Sequence, residues 1–251
     1  MSNQNVWANS SVARDYLKGS RAAIPFAREQ LQIILQIVRN IHSEVKSILD
    51  VGCGDGILGR TLWKQYPSAS VTFSDLSTTM LDSVKQEISE FSFQESNSRV
   101  HFHKHDMQES DWVDELLQYA PYDVIVSGLA IHHLTHRRKK EIYGDIYDLL
   151  APNGIFLNLE RVESASPLSV ELNNEMYIDS IYSFHRQQDP QISREEVAKK
   201  YYFKPLKQSN ILAPVDLQVQ WLKELGFVDV DLFFKIYEIA IFGGRKRPLD
   251  A

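Results

Sequence analysis

A chain of 251 residues, 43% hydrophobic and 24% charged, has ordinary globular composition and room for one large α/β domain. Its formal net charge of −6 and pI near 5.8 argue against nucleic acid as a partner. The only cysteine, Cys53, excludes an intramolecular disulfide and a cysteine-only zinc site, and no metal is assigned.

The segment Met1 to Ser10 lacks the basic-then-apolar layout of a secretory leader. No apolar run approaches the roughly 20 residues that cross a bilayer. With the lone cysteine, this reads as a cytoplasmic chain without a membrane partner.

Apolar residues recur at three- and four-residue spacing from Ala22 to Ile41, predicting a helix that carries Pro25 in its first turn. Ser47 to Val51 reads as a short buried strand ending in a glycine-rich turn, and a helix from Leu58 to Tyr66 stops at Pro67. A second strand, Ser70 to Ser74, ends at Asp75 and leads into a helix from Ser77 to Phe91. Arg99 to His103 is a third strand, Asp111 to Tyr119 a short helix, and Tyr122 to Ser127 a fourth strand. The basic run Arg137 to Lys140 opens the next helix, and the turn Pro152-Asn153-Gly154 enters a fifth strand ending at Leu159. Such alternation predicts a mostly parallel sheet with helices on both faces.

The pattern breaks after Glu160. Arg161 to Asn210 is polar and helical in character, with a capping box at Ser193 and Glu196, and sits where an insertion covers the carboxyl ends of the strands. Val215 to Leu225 reads as a helix stopped by Gly226. Val228 to Phe234 and Tyr237 to Phe242 have no helix between them and are expected to pair antiparallel. The outer C-terminal strand edge offers a surface for a homodimer, though no residue demands one. The expected organisation is one domain over residues 1–251. It has a helical cap (1–44), a core (45–160), a helical lid (161–210), and a C-terminal helix with antiparallel strands (211–251).

Three alternating glycines, Gly52, Gly54 and Gly56, stand between a buried strand and a helix, where a ligand can approach the backbone and the positive end of the helix dipole. Dinucleotide-binding domains use similar glycines. Asp75, ending the second strand about twenty residues later, can accept hydrogen bonds from both hydroxyls of a ribose or cap the following helix. Asp106 follows the third strand, where it can meet an adenine amino group or stand as a solvated loop acid.

These motifs together resemble class I S-adenosylmethionine-dependent methyltransferases. Ile48 to Gly56 is similar to their first motif, Phe73 to Ser77 with Met80-Leu81 to the ribose-binding motif, and Asp106-Met107 to the adenine motif. Ser127 to Leu134 resembles the loop after strand four, and Leu150 to Ile155 the turn into strand five. The antiparallel final strands complete that Rossmann-like, seven-stranded pattern. The resemblance implies S-adenosylmethionine as cofactor. Gly52 and Gly54 would lie against its methionine part, Asp50 near its amino group, and Asp75 on the ribose. Leu76, Met80, Asp106 and Met107 would lie around the adenine, and Ser127 near the sulfonium. Tyr16 and Arg21 are similar to residues of N-terminal helices that close over this cofactor, including those of carboxy-S-adenosylmethionine synthases acting in tRNA wobble-uridine modification. There, Arg21 would pair with the cofactor's carboxylate.

Methyl transfer needs positioning and a dry site, with a base only where the acceptor must lose a proton. His132 and His133, past strand four, are the candidate catalytic residues. As neighbours on one loop they cannot both face the pocket. Glu160, Arg161, Tyr177, Tyr182, His185 and Arg186 are candidates for binding a small-molecule acceptor, or for ordinary packing of a helical lid. Transfer of a methyl group to O, N or C of such an acceptor is the leading reading. The rivals are a carboxy-S-adenosylmethionine synthase-like enzyme, which would need Arg161 or Arg186 for a further carboxylate, and a cofactor-binding regulatory protein without turnover.

Overall fold

The computed structural model describes residues 7, 9–15, 17, 24–90, 99–202 and 209–248. Seven strands, β1 (Ser47–Val51), β2 (Ser70–Asp75), β3 (Val100–Lys104), β4 (Tyr122–Gly128), β5 (Leu150–Arg161), β6 (Val228–Ile236) and β7 (Ile239–Arg245), form one sheet. Its order is β3-β2-β1-β4-β5-β7-β6. The first five strands are parallel, and β7 alone runs against its neighbours β5 and β6. The helices are α1 (Ser10–Asp15), α2 (Ala27–Ile41), α3 (Ile57–Gln65), α4 (Thr78–Glu90), α5 (His136–Leu149), α6 (Pro167–Arg186), α7 (Arg194–Tyr202) and α8 (Val215–Glu224). Among the described residues, no helix is long and apolar enough to cross a membrane.

Strand alternation divides the core into two layers. Ile48, Phe73, Val124, Val126 and Leu157 pack against α2, α3 and α4 on one face. Leu49, Val51, Ile125 and Phe156 pack against α5 and α8 on the other. Strand order reverses between β1 and β4, and in open α/β sheets ligands bind in the crevice beyond the carboxyl ends at such a switch point.

The segment after β5 forms α6 and α7, whose Tyr177, Ile178, Val197 and Tyr201 join the first layer beside Leu159, Ile239 and Ile241. The capping box is present: Ser193 Oγ accepts from the Glu196 N–H at 3.1 Å, and Glu196 Oε2 accepts from the Ser193 N–H at 3.2 Å.

Two expectations need correction. The helix expected from Ala22 starts at Ala27, because Phe26 is left-handed (φ 58°) and turns the chain after Pro25; Ala22 and Ala23 lie outside the described residues. Asp111 to Tyr119 forms turns with a single 3-10 segment at Leu117–Tyr119. There the Trp112 indole donates to Asp145 on α5 and the Leu116 carbonyl accepts from Tyr122, so contacts outside the segment set its path.

In β7, a Cβ added at Gly243 would fall 2.0 Å from the Phe156 carbonyl oxygen of β5. Gly243→Ala is therefore expected to lose about 3 kcal/mol or more, read as a lower urea midpoint at unchanged slope.

Candidate cofactor site

At the end of β1 the chain turns through Gly52 (φ 62°), Gly54 (φ 55°) and Gly56 (φ 73°), a left-handed series that residues with a Cβ resist. Two carboxylates hold this turn. Asp50, on β1, accepts the N–H of Gly59 at 2.8 Å in the first turn of α3. Asp75, ending β2, accepts the N–H of Gly54 at 2.9 Å with Oδ2 and that of Ser77 at 2.8 Å with Oδ1. Burial raises the Asp75 carboxyl pKa, and the two backbone donors oppose that rise.

Above the turn lies a cleft of about 730 Å³, its open mouth included. Gly52 and Gly54 form its floor. Asp75, Leu76, Met80, Asp106 and Met107 line one side, and Gly128, Leu129, Ala130 and His133 the other, with Trp7 at its margin. A Cβ on Gly52 would stand 2.4 Å from the Ala130 Cβ and 3.2 Å from the Met107 methyl, so that position tolerates no side chain, whereas Gly54 faces open space. Asp106 accepts the Gln108 N–H at 2.9 Å. The Met107 carbonyl accepts from Arg138 Nε at 2.8 Å, fastening this loop to α5. A second cavity, lined by Ile24, Ala27, Arg28, Leu31, Asp50 and Leu159, shares Cys53, Gly128 and Leu129 with the cleft.

The loop after β4 separates its two histidines. His133 lines the cleft and meets Ser209 Oγ at 3.2 Å through Nδ1. His132 is buried, with Nδ1 at 2.5 Å from Glu160 Oε1, which also accepts the Arg161 N–H at 2.8 Å. Lys139, wholly buried, donates to the carbonyls of His132 (3.4 Å), Ile211 (2.5 Å) and Leu134. Burial pushes the Glu160 carboxyl up and the Lys139 ammonium down. It also pushes His132 well below the usual imidazole value, helped by the charges of Arg161 and Lys139. His133 is pushed down to about 3, by burial first and then by His132.

Other sequence candidates fall elsewhere. Ser127 is buried, and its hydroxyl donates to the Val51 carbonyl at 2.8 Å, while Gly128 to Ala130 form the cleft wall. Arg161 pairs with Glu238 at 2.5 Å and lies over the Tyr177 ring. Arg186 is exposed and stands over Tyr182, with His185 beside it near the end of α6. Tyr16 and Arg21 lie outside the described residues. Sequence reasoning missed Arg138, Lys139 and Leu129. Leu129 sits at φ 54°, a conformation rare for leucine, and donates its N–H to the Leu159 carbonyl at 2.7 Å.

The cleft stands at the switch point of a seven-stranded sheet with one reversed strand, where open α/β sheets bind ligands. A family model described as a methyltransferase domain matches residues 48–154. The chain is 25% identical to the carboxy-S-adenosyl-L-methionine synthase of Nautilia profundicola, over 93% of this chain and 90% of that one. It is 30% identical to a malonyl-(acyl-carrier protein) O-methyltransferase of Halalkalibacterium halodurans, over 52% of this chain and 45% of that one. Its fold is similar to that of an O-methyltransferase family protein from Burkholderia thailandensis, with TM-score 0.65 at 15% identity, over 98% of this chain and 63% of that one. Residues 48–154 are thus similar to a methyltransferase domain within a fold that S-adenosylmethionine-dependent methyltransferases share, and S-adenosylmethionine is the cofactor this similarity indicates. The cleft fits that molecule: its glycine floor lets a ligand approach the backbone, and its walls offer two carboxylates beside apolar Leu76, Met80 and Met107.

Burial favours the neutral form of His132 and His133 in the folded chain, whereas an unfolded imidazole takes up a proton below about pH 6.5. Folded pKa values below the unfolded one give stability that is full above pH 6.5 and lost as the pH falls toward about 3. His133→Gln is expected to lose less stability than the parent chain over that window, as urea unfolding at stepped pH will read.

Proposed function

We propose that this enzyme transfers the methyl group of S-adenosylmethionine to a small-molecule acceptor carrying an anionic oxygen, such as a carboxylate. The observation that carries this reading is that the cofactor cleft and the cavity under α2 share Cys53, Gly128 and Leu129. Asp75 holds the ribose hydroxyls, Leu76, Met80 and Met107 enclose the adenine, and Asp106 accepts from its amino group. Asp50 and the glycine turn border the methionine part. The acceptor enters the second cavity, where Ile24, Ala27 and Leu31 exclude water and Arg28 supplies a guanidinium for a carboxylate.

S-adenosylmethionine supplies an electrophilic methyl carbon. What the chain supplies is orientation and desolvation. His133, the imidazole on the cleft, has a conjugate acid too strong to hold a proton near neutrality, so it serves as a hydrogen-bonding wall rather than a strong base. That suits an acceptor already deprotonated in solution. The name of the O-methyltransferase relative, in which a malonyl group is the acceptor, supports the same chemistry.

A second reading, a carboxy-S-adenosylmethionine synthase-like reaction, is supported by similarity to such an enzyme along nearly the whole chain. Against it, Arg161 is committed to Glu238 and Arg186 stands over Tyr182, away from the cleft. Mass spectrometry of the ligand co-purified from cells decides: the plain or demethylated cofactor supports methyl transfer, and a carboxylated cofactor supports the second reading.

Asp75→Ala is expected to weaken S-adenosylmethionine binding by about 1–3 kcal/mol in calorimetry, through lost charge-assisted hydrogen bonds and a loosened Gly54 turn. With an acceptor found by label transfer from methyl-tritiated cofactor, Arg28→Ala should raise its KM. His133→Ala should slow turnover less than the roughly 10²-fold minimum typical of a lost general base. A larger fall would make His133 a true base and the acceptor a protonated one.

A further inference from the structure

The β3 edge of the sheet carries side chains that the cofactor reading does not use. Strand β3 lies outermost, and His101 and His103 share one face of it, with His105 just past its end. His101 stacks on Tyr119 with ring centroids 4.0 Å apart, while His103 and His105 lie nearly parallel at 12° and 5.8 Å. Glu115, from the turns that follow, reaches between them. Its Oε2 stands 3.1 Å from His103 Nδ1 and 3.6 Å from His105 Nε2. The second separation is too long for a hydrogen bond, and His105 Nε2 is buried without a hydrogen-bond partner among the described residues.

We propose that His103, His105 and Glu115 form a binding site for a divalent transition-metal ion of the zinc type, with water completing the shell. One donor atom from each residue lies within 4.8 Å of the others. Zinc takes nitrogen and carboxylate oxygen ligands at about 2.0–2.2 Å in tetrahedral geometry, which places donor atoms about 3.3–3.5 Å apart. The separations of 3.1 and 3.6 Å bracket that edge length, and rotation of an imidazole closes the third side. Two imidazoles and one carboxylate suit zinc-like ions rather than calcium or magnesium, which favour all-oxygen shells.

The backbone already fixes this face. His103 is in register with Ser74 of β2, and the His105 N–H donates to the Asp75 carbonyl at 3.2 Å. From the sequence no metal is expected; the signal lies in two histidines at strand spacing and a glutamate ten residues beyond. Because His105 also lines the cleft and precedes Asp106 and Met107, an ion here would pin the adenine side of the cleft to the segment carrying Glu115. Metal and cofactor binding should then favour one another.

The test uses the untagged full chain, stripped with a chelator and titrated with Zn²⁺ by calorimetry. We expect one saturable equivalent per chain, weakened about tenfold or more in Glu115→Gln and in His103→Ala and unchanged in His185→Ala. Co²⁺ should give a visible d–d band in the parent chain that both ligand variants lack. Glu115 has 65% of its side chain exposed, so the glutamine variant keeps the fold and decides the outcome if His103→Ala loses cofactor binding. No saturable uptake by the parent chain, or equal uptake by Glu115→Gln, overturns the proposal.

Discussion

The loop behind β4 depends on one buried cation. The Lys139 ammonium has three protons and donates to three backbone carbonyls, of His132, Leu134 and Ile211. An ammonium taken from water without such partners would cost several kcal/mol, so the two segments that supply the carbonyls must close together. Glu160, also buried, is the carboxylate whose charge acts on it. Around this charge, the Ile211 N–H donates to the His132 carbonyl, His133 meets Ser209, and His136 donates to the Leu212 carbonyl at 3.0 Å. The chain returning from α7 is thus laced to the cleft wall, and His133 is held there by residues far away in sequence.

The opposite wall is built by a different rule. Asp50 and Asp75 each accept a backbone N–H from the glycine turn or the helix it opens, so the strand ends themselves shape the loop. The left-handed glycines let the backbone pass close beneath Ala130 and Met107. Both walls meet where the strand order reverses, which the sheet topology alone makes the place for a ligand.

That difference explains what could be read in advance. Glycines at positive φ, carboxylates at strand ends and a run of alternating strands are local signals, and they marked the floor of the cleft and the fold around it. The opposite wall depends on contacts some seventy residues apart, such as Lys139 with Ile211, and no local pattern announces them. Ser127 looked like a cleft residue because it stands at the end of β4, yet its hydroxyl bonds across to β1. The irregular path around Trp112 follows from tertiary contacts that override helical periodicity.

Cys53 borders both the cleft and the neighbouring cavity, and under the proposed function it stands close to the alkylating cofactor. A thiolate there would compete with any acceptor for the methyl group, and each such event would silence one molecule. Burial raises its thiol pKa well above the ordinary value, and the negative charges of Asp75, Asp50 and Asp55 raise it further. The sulfur therefore keeps its proton and remains a poor nucleophile. The carboxylates that shape the turn thus also disfavour the thiolate form of their neighbour.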